Sequence, residues 1–155
     1  MFKFFRKTKE VTPRVLDTST LLPLARRLEE LASDGVVTAG ALQSLAAELG
    51  CPLEDLYAGL GASTQVTMAL EHEQQFVVCV GGCQARGALP CIETLISIRD
   101  KRLGAGKSGF DVVPRQCLSR CGYAPVVEIR SKDGDAVMTA ATPKSVASAV
   151  QELLD

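Results

Sequence analysis

Six cysteines stand in a chain of 155 residues, and four of them form two matched pairs, Cys79/Cys83 and Cys117/Cys121, each with three intervening residues. Thiolates are soft donors that hold zinc, copper(I) or iron–sulfur clusters. Gly81, Gly82 and Gly122 flank the pairs, and without a side chain the backbone can approach inorganic sulfide closely. Two pairs far apart in the chain suit a two-iron, two-sulfide cluster held by four thiolates. Structural zinc favours C-x2-C knuckles. A dithiol redox site needs C-x-x-C at a helix start, and that motif is absent. Cys51 reads as an isolated packed thiol. Cys91 reads as a core residue of a helix, although a C-x11-C pair of Cys79 and Cys91 remains open as an alternative ligand set.

The elements that must carry these pairs can be read from periodicity. Leu21, Leu24, Ala25, Leu28 and Leu31 recur at helical spacing after Thr18, and Gly35 offers a stop. Thr38 caps a second helix with Leu42, Leu45, Ala46 and Leu49 on one face, ending at Gly50. Pro52 opens a short third helix through Leu53, Leu56 and Tyr57. Residues 62–75 read as a linker, with room for one more helical turn. Beyond it the period changes. Gln75–Val80 is an apolar, β-branched strand that delivers Cys79 to its end, and Ala85–Leu103 is a helix opening just after Cys83. The start of that helix would offer N–H groups and a positive dipole end to thiolate and sulfide. Phe110–Val113 and Pro125–Arg130 are strands on either side of Cys117 and Cys121. Asp133–Gly134 makes a tight hairpin to Ala136–Thr139. Thr142 and Pro143 cap a last helix that turns Val146, Ala149, Val150 and Leu153 inward. The order β-α-β-β-α with a closing hairpin and terminal helix is an α/β, thioredoxin-like sandwich preceded by a small helical bundle. The expected organisation is a basic tail over residues 1–17, a helical subdomain over 18–71 and the sandwich over 72–155.

Composition bounds the function. With 46% hydrophobic residues the chain can build a core, and its net charge of −1 excludes a nucleic-acid binder, which would be basic. Apolar runs such as Phe76–Val80 are too short to span a bilayer. Met1–Lys9 is basic and aromatic but lacks the apolar stretch of a secretory signal; it suits a flexible terminus or a docking peptide for a protein or membrane surface. A cytoplasmic setting is expected, where six cysteines argue for metal or redox chemistry rather than disulfides. No Gly-rich dinucleotide fingerprint follows a strand. Gly104-Ala-Gly-Lys-Ser-Gly imitates the end of a phosphate-binding loop, but Lys101 replaces its first glycine, so it reads as a helix-terminating loop. The lone His72 sits in a charged stretch, and no hydrolytic constellation is present. Arg86, Arg115 and Arg120 lie near the cysteines; facing a cluster they would favour its reduced state.

Around the cysteines the chain resembles the thioredoxin-like [2Fe–2S] ferredoxin family. More closely, it resembles the small E subunit of bacterial NADH:quinone oxidoreductase (complex I) and its relatives in NAD-linked hydrogenases and formate dehydrogenases. Cys83-Gln-Ala-Arg-Gly-Ala follows the family's C-x-x-R-G, and Gln116-Cys-Leu-Ser-Arg-Cys-Gly-Tyr-Ala-Pro-Val-Val follows its E-C-L-G-x-C-x-x-A-P-V-V. The stretch from Gly35 through Leu49-Gly-Cys-Pro to Leu56-Tyr resembles the helical region before that ferredoxin domain. The chain departs in its first pair, one residue tighter than usual, in Ala58–Val66, which replaces an aromatic stretch, and in Ser119, where the family has glycine. The resemblance implies a [2Fe–2S] cluster on Cys79, Cys83, Cys117 and Cys121, with Cys91 a bystander. It also implies an electron-transfer subunit with no complete active site of its own, docked on a flavin-containing, NADH-binding partner among other redox proteins. Such a subunit would be cytoplasmic or peripheral to the inner membrane within a complex.

Overall fold

A computed structural model describes residues 13–155, with Cys121 placed by its backbone alone. The basic-aromatic segment Met1–Lys9 lies outside the described residues. Three helices come first: α1 (Thr18–Leu31), α2 (Ala39–Leu49) and α3 (Leu53–Ala62). Asp17 caps α1, its carboxylate accepting the Thr20 N–H at 3.0 Å. Thr38 caps α2, accepting the Ala41 N–H at 3.1 Å, and Gly50 ends α2 in the left-handed conformation. Two-residue strands β1 (Val36–Val37) and β2 (Thr67–Met68) pair in parallel and tie the α1–α2 connection to the segment beyond α3. The main sheet contains β3 (Gln75–Cys79), β4 (Asp111–Arg115), β5 (Val127–Ser131) and β6 (Gly134–Met138) in the order β4-β3-β5-β6. β3 and β4 are parallel and joined by α4 (Ala88–Gly104); β5 is antiparallel to both β3 and β6. The last helix, α5 (Pro143–Leu154), packs against α4. This β-α-β-β-β-α order with one parallel and two antiparallel steps is the thioredoxin-like sandwich expected from the sequence.

The core explains why the elements hold. Phe76, Val77, Val78 and Cys79 are all buried, so both faces of β3 are covered and its continuous apolar run is accounted for. The apolar cluster is contiguous from Leu28 and Leu42 in the helical region, through Leu56 and Leu89, to Val146 and Val150 in α5. Buried Arg99 of α4 donates to the Tyr57 hydroxyl of α3 at 2.9 Å, so the polar groups at that seam satisfy each other.

Several sequence expectations are corrected. The helix expected from Ala85 to Leu103 is broken: a 3₁₀ turn spans Gly82–Arg86, and Gly87 at φ 103° separates it from α4. Only glycine takes that backbone without strain. The stretch 62–75 is not a plain linker, since α3 runs to Ala62 and β2 lies beyond it. Gly35 does not stop α1, which already ends at Leu31; at φ 74° it turns the chain into β1. Leu31, Leu49 and Leu153 are each more than 40% exposed, because each is the last or next-to-last residue of its helix, beyond the reach of the core. The Gly104–Gly109 loop does end α4 as expected.

Candidate metal centre

The parallel pairing of β3 and β4 sets the site. Cys79 is opposite Arg115 in the register, so the two strands end together, and the loop after each carries a cysteine pair. The Val80 N–H donates to the Arg115 carbonyl at 2.7 Å, extending the pairing into the loops. Gly81 then lies so close to Gln116 that a Cβ added there would collide with the Gln116 carbonyl oxygen. Glycine at that position is therefore a steric requirement for bringing the loops into contact.

In the first loop both thiols face inward: Cys79 is 2% and Cys83 1% exposed. The Cys79 Sγ is 3.7 Å from the Gln116 carbonyl oxygen, a weak thiol contact across to the second loop. Gln84, also buried, clamps this loop. Its amide nitrogen donates to the Val80 carbonyl, and its amide oxygen accepts the Leu16 N–H at 2.9 Å. The sequence does not single out Gln84 as a residue of this site. It is the first x of the C-x-x-R-G stretch, but nothing in its type reveals a partner 68 positions away. The helix-end contribution expected just after Cys83 is displaced, because α4 starts only at Ala88.

The second loop is built at the surface. Cys117 is exposed, and its Sγ accepts the Ser119 N–H at 3.2 Å. Ser119 is held at φ 58°, the conformation that favours glycine. Cys121 opens a 3₁₀ turn, Cys121–Tyr123. The Tyr123 carbonyl accepts the Ala140 N–H at 2.8 Å, tying this loop to the one before α5. Arg86, Arg115 and Arg120 are all exposed.

The remaining cysteines behave differently. Cys91 is fully buried inside α4 among apolar side chains, and desolvation pushes its thiol up to about 11. A thiol that resists ionisation in this way is a poor ligand. Cys51 is half-buried, and desolvation raises its thiol as well.

The donor set fits a cluster in chemistry, and the backbone brings both cysteine pairs to one end of the sheet. Four cysteines belong to two abutting loops at one sheet edge, a glycine allows the close approach, and an N–H already points at one sulfur. Among the described residues, no three His, Cys, Asp or Glu side chains converge as a metal site; the Cys121 side chain lies outside that set. Also among the described residues, no helix is long and apolar enough to cross a membrane.

No family model matches the chain, and no curated protein matches it. Among solved structures it is similar to the thioredoxin-like [2Fe–2S] ferredoxin from Aquifex aeolicus. The wild-type structure matches with 19% identity and a TM-score of 0.46, covering 54% of this chain and 87% of that one. A second structure of a thioredoxin-like [2Fe–2S] ferredoxin from the same organism matches with 18% identity and a TM-score of 0.45, covering 55% and 83%.

Proposed function

We propose that this chain holds one [2Fe–2S] cluster on Cys79, Cys83, Cys117 and Cys121 and transfers electrons as an accessory subunit of an NADH-linked, flavin-containing oxidoreductase. One observation carries the reading: the two C-x3-C pairs leave the ends of adjacent parallel strands and their loops touch at Gly81 and Gln116. When bound, such a cluster takes up and releases one electron at a time. The chain's own residues supply the rest. Gln84 and the core fix Cys79 and Cys83, the Ser119 N–H supports the Cys117 sulfur, and apolar side chains keep water from the inner pair. A hydrogen bond to a ligand sulfur stabilises its negative charge and tunes the potential. Residues 18–71 serve as the element that seats the ferredoxin domain, residues 72–155, on its partner, in the cytoplasm or at the inner membrane within a complex. Hydride chemistry belongs to the flavin-bearing partner.

The test is anaerobic purification followed by iron and sulfide assays, absorption and EPR before and after dithionite. Two irons, two sulfides and a one-electron S = 1/2 signal are expected. Cys79→Ser, Cys83→Ser, Cys117→Ser and Cys121→Ser should each lose that signal, while Cys91→Ser and Cys51→Ser keep it. A colourless protein that reconstitution with iron and sulfide cannot change would sink the reading and leave a scaffold role. A stable monomer loaded with cluster that captures no NADH-oxidising flavoprotein would make it a free-standing carrier.

A further inference from the structure

The edge of the sheet that carries the cysteines differs in charge from the rest of the molecule. β6 runs parallel to β3, and Met138 is opposite Val127, which is opposite Val78. Three segments therefore build this edge, residues 76–92, 112–127 and 138–147. They contain no Asp or Glu, and they contain Arg86, Arg115, Arg120 and Lys144. All four cations are exposed, and among the described residues none of them makes an ion pair. The 17-residue α4 and the 12-residue α5 both start at this edge, and their dipoles add positive potential there. The opposite edge gathers Glu71, Glu73, Asp111, Asp133 and Asp135, so its cations stand among carboxylates: Lys132 pairs with Glu73, Arg130 with Glu128 and Arg102 with Asp155, while Lys101 and Lys107 make no ion pair among the described residues. The chain as a whole is at −1, so the asymmetry is one of placement. On the flank near Arg86 carboxylates do come close: Glu54 and Glu93 line the same cavity as Arg86 and Arg14, and Arg14 is paired to Glu54 and Asp55.

At the middle of this edge Tyr123 is 64% exposed, held by the backbone bond from Ala140. A solvent-facing tyrosine on the same edge as unpaired arginines is the composition of a protein-docking surface. A nucleic-acid site would need a broader basic surface.

We propose that the edge formed by Arg115, Arg120, Lys144 and Tyr123, with Arg86 on its flank, docks an acidic surface of the redox partner. The proposal rests on the electron-transfer reading, and it deepens that reading by giving the chemistry of the partner. Electrostatic docking of this kind speeds encounter and sets orientation, which brings the partner's redox group to the loop that already lies nearest solvent.

A flavodoxin, a small acidic flavoprotein, is the probe. Its binding to the full chain is measured by calorimetry, with iron content and EPR recorded on the same samples. Binding should weaken at least about tenfold as salt rises from about 20 to about 200 mM, because screening acts on exposed charges. At low salt the double variant Arg115→Glu/Arg120→Glu should weaken it by at least about tenfold, and Arg115→Gln/Arg120→Gln by less. Lys101→Glu/Lys107→Glu, which reverses two exposed cations outside the three segments and outside the helical region, should leave it within about twofold. No binding, salt-insensitive binding or equal losses in both charge-reversed pairs would overturn the docking face, whatever the iron content. Iron-free protein that still binds through Arg115 and Arg120 would keep the face and sink the electron-transfer reading.

Discussion

The two cysteine loops meet at one edge of the sheet, yet they are held there by different means. Cys79 and Cys83 are buried, and their loop is fixed from below by the core and from the side by Gln84, which reaches both Val80 and Leu16. Cys117, Ser119 and Arg120 are exposed, and their loop is held by short backbone links. The Tyr123 N–H donates to the Arg120 carbonyl at 2.9 Å, and the Ala140 N–H donates to Tyr123. Perturbing the first loop therefore costs packing and buried polar satisfaction, whereas perturbing the second costs only local backbone energy. A centre held between them would have a fixed inner half and an accessible outer half, the arrangement that electron exchange with a docked partner requires.

The largest expected effect comes from the point where the loops touch. Gly81→Ala puts a methyl group onto the Gln116 carbonyl, and backbone on both sides leaves it nowhere to go. Overpacking of that kind should cost about 3 kcal/mol. Gly82→Ala is its control, one residue along, with nothing within 4 Å of the added Cβ; it should stay within about 0.5 kcal/mol. Denaturant midpoints of both variants decide the matter, and equal effects would show that the loops are not in contact. Next in size is Gln84→Leu. It leaves the Leu16 N–H and the Val80 carbonyl without their partner, so a loss of about 2 kcal/mol is expected. A loss no larger than that of Arg120→Ala on the exposed loop would mean that Gln84 does not clamp the first.

The difference between the loops also marks how far the sequence could be read. The pairs, the strands that deliver them and the closing hairpin were legible because each obeys local rules. Apolar runs give strands, Asp133–Gly134 gives a turn, and Thr142 with Pro143 gives a helix start. The side-chain partners were not legible, because they join residues distant in sequence, as Gln84 joins Leu16. The unbroken helix after Cys83 was misread because Gly87, inside a helical pattern, gives no sign that its φ is 103°. The strands β1 and β2 were missed because two residues carry no periodicity. Which cysteines stand apart was legible only in outline: a thiol inside a helix reads as core, and the burial of Cys91 supplies the physical reason.

That burial gives a smaller, pH-dependent prediction. The Cys91 thiol is raised from 9.0 to about 11 by desolvation. Unfolded chain then ionises first, so the stabilisation is complete below pH 9.0 and is lost as pH climbs towards 11. At pH 10 the loss attributable to this thiol is about 1.4 kcal/mol. Denaturation of wild type and Cys91→Ala at about pH 8 and about pH 10 should show a steeper decline in the wild type; parallel declines would contradict the burial of Cys91. Labelling of metal-free protein with a thiol reagent should meanwhile modify Cys117 well before Cys91.

The smallest effect belongs to the outer loop and tests its local character. Ser119 occupies φ 58°, where a side chain costs roughly 1–2 kcal/mol. Ser119→Gly removes that strain but adds roughly 0.5–1 kcal/mol of chain entropy to the unfolded state. The net gain should be about 0.5 kcal/mol, an increase in midpoint without a change in slope. The Ser119 N–H that supports the Cys117 sulfur belongs to the backbone, so the variant should also keep any EPR signal of the wild type. A loss of stability would mean that the serine side chain, and not the backbone it strains, holds this loop.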